Sequence, residues 1–365
     1  MSSIKAAVAN KVSDGPYSTR IVEVPKPKVS DSSILIKTVA IAVNQIDYLL
    51  LANKVPKDGN IVGCELSGIV DEVGSKVSQV QVGDYVSAFV AGEWYGVEGA
   101  FSEFVSVTET AVIKHDKASF KTNALKPGPY EAGPVDSFES AASQNFSLAT
   151  AAVSFCHELG LEANRDYSDE TILIWGGATT VGTIAIQLAK KIYGLKVITT
   201  ASPGNKDFLT NLGADAVFDY HDQDVIQKIK SYDNNIKYGL DSVGSVPTFQ
   251  GVYDATVNNA IIDNVYLVSS TALKLDPSRN VEFKRVFVHL AICDSQFQNG
   301  DPIKTTPELL DHFRTFWFDV LPKHFDQLIT TNLRVLEPGL PSVNTALELF
   351  ANGEIHAEKI VFRIK

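Results

Sequence analysis

Short runs of alternating apolar and polar residues fill the first hundred positions of the chain, at 5–8, 34–39, 68–73, 85–89 and 101–107. Alternation with a period of two lets one face of a strand bury itself. The Gly and Pro residues between the runs supply tight turns, so this part is predicted to be twisted antiparallel β-structure. From about Ser147 the period changes. An amphipathic helix at 148–159 leads into an apolar strand at 171–175, a Gly-rich turn and a helix at 181–192.

The alternation continues with strands at 196–200, 216–219, 238–242 and 260–267 and helices at 206–212 and 225–231. Alternating strands and helices predict a parallel sheet covered on both faces, a doubly wound α/β arrangement of the Rossmann type. A strand at 285–292, a helical stretch at 306–328, a strand at 332–336, a helix at 343–352 and a last strand at 359–364 follow. These last elements need partners, and the N-terminal β-region has edges to offer. The simplest architecture is a Rossmann domain at 147–304 inserted between the two parts, 1–146 and 305–365, of a β-rich domain. Residues 115–146, with Pro127, Gly128, Pro129, Gly133 and Pro134, read as a long loop with turns.

A length of 365 residues agrees with two domains, and 45% hydrophobic with 21% charged residues is the balance of a globular protein with a large core. The formal net charge of −11 disfavours nucleic acid and anionic membranes as partners, while leaving room for a local phosphate pocket. No apolar run approaches a membrane span, and the start MSSIKAAVANKV lacks a signal-peptide core, so a cytoplasmic protein is expected. Three scattered cysteines, Cys64, Cys156 and Cys293, exclude a disulfide framework and a four-cysteine zinc cluster. The seven histidines show no H-E-x-x-H spacing, and none is assigned a catalytic role.

The turn Trp175-Gly176-Gly177-Ala178-Thr179-Thr180-Val181-Gly182 stands between a strand and a helix. There, glycines let the backbone approach a pyrophosphate at the helix N-terminus, which makes a dinucleotide the natural ligand and Gly177, Ala178, Thr179, Thr180 and Val181 the candidate contacts. Thr179 takes the place of the second Gly of G-x-G-x-x-G. Its side chain must turn away or donate its hydroxyl to phosphate. The next strand ends Thr200-Ala201-Ser202 without the carboxylate that would hold the ribose hydroxyls of NAD, which favours NADP(H). Ser202, Asn205, Lys206 and Tyr220 offer hydroxyls, an amide and a positive charge for a 2′-phosphate. Val243, beyond the strand at 238–242, joins the candidate cofactor contacts.

Three stretches together resemble the zinc-independent branch of the medium-chain dehydrogenase/reductase superfamily: Asn44-Gln45-Ile46-Asp47, Gly63-Cys64-Glu65-Leu66-Ser67-Gly68 running on to Val82-Gly83-Asp84, and the segment 172–220. Within it the turn and Ala201-Ser202-Pro203-Gly204-Asn205 are most similar to the fungal trans-acting enoyl reductases and their yeast reductase relatives. The resemblance implies that the β-rich part is a GroES-like catalytic domain, that Thr150 contacts the nicotinamide amide or ribose, and that the protein is a monomer or homodimer. Zinc-dependent members hold a catalytic metal with a Cys, a His followed by Glu, and a second Cys. The matching positions here are Asn44, Cys64 with Glu65, and approximately Phe146. One thiol cannot supply the three protein ligands of a catalytic zinc, so no metal is expected.

Without a metal, hydride chemistry rests on the cofactor and on donors that meet the oxygen gaining charge. Asn44 is the first candidate, followed by Tyr48 and Gln45, although an Asn in a turn also commonly bonds its own backbone. The leading expectation is an NADPH-dependent reductase of small aldehydes, enones or quinones, with a small-molecule carbonyl or enone as its partner. Two alternatives stand beside it: a partner-dependent enoyl reductase acting on carrier-bound substrates, and an NADPH-binding protein with little turnover. The trans-acting enoyl reductases resemble Asn-Pro-x-Asp-x-Lys at the Asn44 loop, where this chain has Gln45 and Leu49.

Overall fold

In the computed structural model the described residues are 2–13, 15–92, 99–266, 268–293, 295–298 and 301–365. The chain divides into two compact units, one formed by Met1–Phe146, Ile292–Gln296 and Ile329–Lys365, the other by Ser147–Ala291 and Phe297–Leu328.

The first unit is built on one long strand, Ser33–Val43. Glu65–Val73 pairs antiparallel along one edge of it, with register shifts at Leu35/Ile36 and Thr38/Ala40. Such irregularities bend a strand. The other edge is thereby shared, Ser33 to Lys37 pairing with Phe104–Thr108 and Ala40 to Val43 with Glu358–Arg363. Tyr85–Phe89 and Val112–His115 extend the sheet on one side, and Asn332–Val335 and Gly128–Tyr130 on the other. Alternate side chains Ile34, Ile36, Ile41, Leu66, Val70 and Phe362 fill the core and are buried to within 1% of completely. Each such residue contributes about 1.5–3 kcal/mol by leaving water.

The second unit carries a six-stranded, wholly parallel sheet in the order Ala216–Phe218, Lys196–Thr200, Thr171–Trp175, Tyr238–Asp241, Ile261–Asn264, Glu282–Phe283. Counted along the chain that order is 3-2-1-4-5-6, the doubly wound arrangement. Every residue of Thr171–Trp175 is buried, as a strand covered on both faces requires. The expected α/β fold is the observed one.

Several local expectations change. The helix expected at 148–159 is Asn145–Val153 followed by a π-turn, Ser154–Glu158, whose extra residue the 3.6 period cannot reveal. The helical stretch at 306–328 breaks into Pro307–Thr315, a π-turn and short 3-10 turns, because Pro322 lacks an N–H and crowds the preceding turn. The strand expected at 260–267 stops at Asn264, whose side chain bonds Val268 N–H (2.7 Å) and the carbonyls of Val268 and Lys284, turning the chain; position 267 lies outside the described residues. The strand expected at 285–292, which carries His289, is a 3-10 turn, Val288–Ala291, with four successive buried residues instead of an alternation. The presumed loop 115–146 holds the strand Gly128–Tyr130 and the buried helix Phe138–Ala142, capped by Ser137. Residues 305–328 group with the nucleotide-binding unit instead of the β-rich one, since Pro307–Thr315 buries Leu309 and Phe313 and packs on Ser154–Glu158 and Val288–Ala291. No helix among the described residues is long and apolar enough to cross a membrane.

Candidate functional site

In the first unit the end of the long strand brings distant residues together. Ala42 faces Glu65 across one ladder and Val43 faces Ile360 across the other, so Asn44, Glu65 and Lys359 meet where the strand gives way to the helix Gln45–Ala52. The Lys359 ammonium is 4% exposed and pairs with a Glu65 carboxylate that is fully buried. It also donates to Asn44 Oδ1. The second oxygen of Glu65 accepts from Phe146 N–H at 3.0 Å.

Asn44 begins the helix, and its own N–H donates to Asp47 Oδ2 at 2.7 Å, while the Asp47 N–H goes to the Asn44 carbonyl. Its carboxamide nitrogen is buried and has no acceptor among the described residues. Tyr48, one helical turn on, is half-buried and packs its ring on the core of this unit; Gln45 is exposed. Cys64 is fully buried beside Glu65. Elsewhere in the unit, His115 bonds Ser87 at 2.8 Å, and burial pushes its imidazole down to about 4, leaving it neutral at physiological pH.

In the second unit the strand Thr171–Trp175 runs into the Gly-rich turn. Gly176 adopts φ +86°, and a Cβ on Gly177 would stand 2.2 Å from Thr199 Oγ1, so neither position tolerates a larger residue. Thr200 anchors the turn by accepting from Gly176 N–H through its hydroxyl (3.0 Å) and from Gly177 N–H through its carbonyl (2.9 Å). Thr179 caps the helix Thr180–Lys191 by accepting from Gly182 N–H at 2.9 Å and donates to Ser242 Oγ at 2.9 Å. Its hydroxyl is therefore turned into the protein instead of toward a ligand. The amides of Thr180 and Val181, both half-buried, head the helix without intrahelical acceptors.

At the tip of Lys196–Thr200, Ser202 and Tyr220 bring their hydroxyls within 3.2 Å of each other. Lys206, the exposed first residue of Lys206–Leu212, and half-buried Asn205 stand beside Ser202 in the same turn. Asp219 is engaged by His221 Nδ1 at 2.6 Å. Val243 is 38% exposed and donates its N–H to Asp241. Burial pushes Asp241 up to about 6, against the opposing pull of the Gly244 N–H and the Thr248 hydroxyl. Thr150 is buried on Asn145–Val153. Helix-head amides without intrahelical acceptors, the exposed Lys206 ammonium and paired hydroxyls form a donor set that fits a dinucleotide carrying phosphates.

The alcohol dehydrogenase GroES-like domain family matches residues 30–117 and the zinc-binding dehydrogenase family residues 180–287. A protein of Saccharomyces cerevisiae that has no assigned activity is 30% identical over 94% of both chains. The chain belongs to the medium-chain dehydrogenase/reductase superfamily. The trans-enoyl reductase ACTTS2 of Alternaria alternata is 27% identical over 94% of this chain and 95% of its own. The quinone oxidoreductase from Coxiella burnetii shares the fold, with a TM-score of 0.68 at 23% identity and complete coverage of both chains. Membership makes the protein an oxidoreductase that works with a nicotinamide cofactor.

Zinc-dependent members of the superfamily raise the question of a metal at Asn44, Cys64 and Phe146. The residues present do not fit one. An ammonium already sits between the oxygens of Asn44 and Glu65, Phe146 brings only a backbone N–H, and a single thiol remains. Among the described residues no group of three or more His, Cys, Asp or Glu side chains could hold a metal ion.

Sequence reasoning placed Asn44 at this site but missed Lys359; of the two options it left for Thr179, a side chain turned away or a hydroxyl given to phosphate, the structure has the first. The sequence carries little signal for the pair, because each residue shares its strand with other charges, Asp71 and Glu72 beside Glu65 and Glu358 and Arg363 beside Lys359.

Proposed function

We propose that the protein is an NADPH-dependent reductase of small electrophiles, aldehydes, enones or quinones, and that it works without zinc. The observation that carries this reading is the buried Asn44 carboxamide nitrogen, a donor with no acceptor among the described residues, at a position where zinc-dependent relatives place a metal ligand. Bound NADPH would supply a hydride to the electrophilic carbon, or to the β-carbon of an enone. As the new C–H bond forms, the π pair moves onto oxygen, which then takes a proton from water. Asn44 Nδ2–H donates to that oxygen while its charge develops, and burial strengthens the bond. Tyr48 shapes the same loop. In the second unit Thr180 and Val181 receive the pyrophosphate through their amides, and Ser202, Lys206 and Tyr220 receive the 2′-phosphate. On this reading the partner is a small molecule, neither nucleic acid nor a membrane takes part, and the chain acts in the cytoplasm as a monomer or homodimer.

The relatives named trans-enoyl reductases favour a second reading, reduction of an enoyl group held on a carrier protein. An NADPH-consumption screen across aldehydes, enones, quinones and enoyl thioesters, with product analysis, separates the two. Turnover of free carbonyls or enones supports the first reading. Turnover only of carrier-tethered enoyl groups supports the second, and a tight NADPH complex inert to all acceptors defeats both.

A further inference from the structure

We propose that Lys359, clamped by Glu65, is a positioning residue that fixes the Asn44 carboxamide with its NH2 end free and so makes residue 44 a dedicated donor to the acceptor oxygen. The inference rests on the proposed function and deepens it. A carboxamide has an acceptor end and a donor end of nearly equal size, and rotation by half a turn exchanges them. Facing a carbonyl oxygen, the donor end attracts and the acceptor end repels. An ammonium has three donors and no acceptor, so it can bond only the oxygen of the carboxamide. Lys359 Nζ makes that bond, which leaves Nδ2 as the end without a partner among the described residues.

The ammonium is itself held. Glu65 pairs with it, and Glu65 is fixed by Phe146 N–H at 3.0 Å and by its place in a strand paired to Ala42. A buried ion pair can commonly be exchanged for apolar side chains of similar volume without loss of stability. Positioning gives the pair a purpose that packing does not. The same ammonium adds positive potential beside the Asn44 carboxamide, which polarises its N–H.

Lys359→Met alone strands a buried carboxylate, so the test uses Lys359→Met/Glu65→Leu together with Lys359→Arg. The double variant should fold, as judged by circular dichroism and melting, and should bind NADPH with a Kd within about twofold of wild type by nucleotide fluorescence. Its kcat should fall about 10- to 100-fold, the range for a misplaced oxyanion donor. Adding Asn44→Ala to it should cost less than about threefold more, because residues that act through one another are not additive. Lys359→Arg, also a pure donor, should keep kcat within about fivefold of wild type. An unchanged kcat in the double variant, or a full multiplicative loss from Asn44→Ala on top of it, overturns the inference.

A second readout does not depend on turnover. In protein labelled with 15N at asparagine, the side-chain resonances of Asn44, assigned by their loss in Asn44→Ala, should form one sharp pair that shifts or splits in the double variant. An unchanged pair overturns the inference as well. If wild-type protein reduces none of the acceptors, the proposed function falls by itself and these resonances decide the role of Lys359.

Discussion

The two units treat buried charge in opposite ways. In the first, the fully buried Glu65 is met by a cation, Lys359, that is almost as deeply buried. In the second, the fully buried Asp263 bonds the Asn264 N–H at 2.8 Å, and burial, followed by the neighbouring charge of Glu158, pushes its carboxyl up to about 8. One unit holds an ion pair; the other keeps a proton on its acid. The difference teaches where function sits. A fold can neutralise a buried acid by protonation, so the retained ammonium of the first unit marks a place where a fixed positive charge has a use.

The largest expected effect breaks the pair on one side only. Lys359→Met should destabilise the protein by about 3–5 kcal/mol, read as a lower denaturant midpoint, and Lys359→Met/Glu65→Leu should recover most of that loss. Asp263→Asn, which replaces a carboxyl already protonated at neutral pH, should shift stability by less than about 1 kcal/mol. Equal losses in the two single variants would erase the contrast.

The contrast should also appear as opposite pH slopes. His115 titrates near 4 in the folded chain and near 6.5 unfolded, so the fold favours its neutral form. That contribution is complete above pH 6.5 and is lost as pH falls toward 4. Relative to His115→Gln, wild type should therefore lose on the order of 3 kcal/mol across that window. Asp263 lies the other way, its folded value about 8 against 3.8 unfolded. Its contribution is complete below pH 3.8 and is lost as pH rises through 8. Stability of wild type relative to Asp263→Asn should fall with rising pH, in urea midpoints taken from pH 5 to 9.

Smaller effects belong to the nucleotide turn. Lys206→Ala should raise KM for NADPH about tenfold with little change in kcat, because a remote phosphate binds ground and transition states alike. Ala201→Asp should shift preference toward NADH by adding repulsion against the 2′-phosphate. Equal turnover of NADH and NADPH by wild type would remove the phosphate pocket. Smallest of all, Thr179→Ala should cost about 1 kcal/mol of stability through its lost cap and leave NADPH affinity nearly intact. A large affinity loss would mean that the hydroxyl reaches the phosphate after all.

Much of the architecture was legible because local periodicity carries it. The change of period near Ser147, the five-residue apolar strand before the Gly turn and the helix after it are nearest-neighbour signals, and they specify a parallel sheet. Asn44 was legible through the resemblance, which puts it where zinc-dependent members have a metal ligand. Lys359 was not, since it lies 315 residues away and reaches Asn44 only through the pairing of Val43 with Ile360. The choice between the two options for Thr179 was not legible either, since it depends on Ser242, just past a strand laid alongside. The buried 3-10 turn Val288–Ala291 escaped because a short, mostly apolar run looks alike in strand and helix, and the π-turn Ser154–Glu158 because its extra residue leaves no mark on a 3.6 period.

The most direct test of the central claim is the steady-state kinetics of Asn44→Ala with the best acceptor found for the wild type, alongside its Kd for NADPH. If the Asn44 carboxamide supplies the donor to the developing oxyanion, kcat should fall by about 100-fold or more while the Kd for NADPH stays within about twofold. An unchanged kcat, or a loss confined to NADPH binding, would contradict the account.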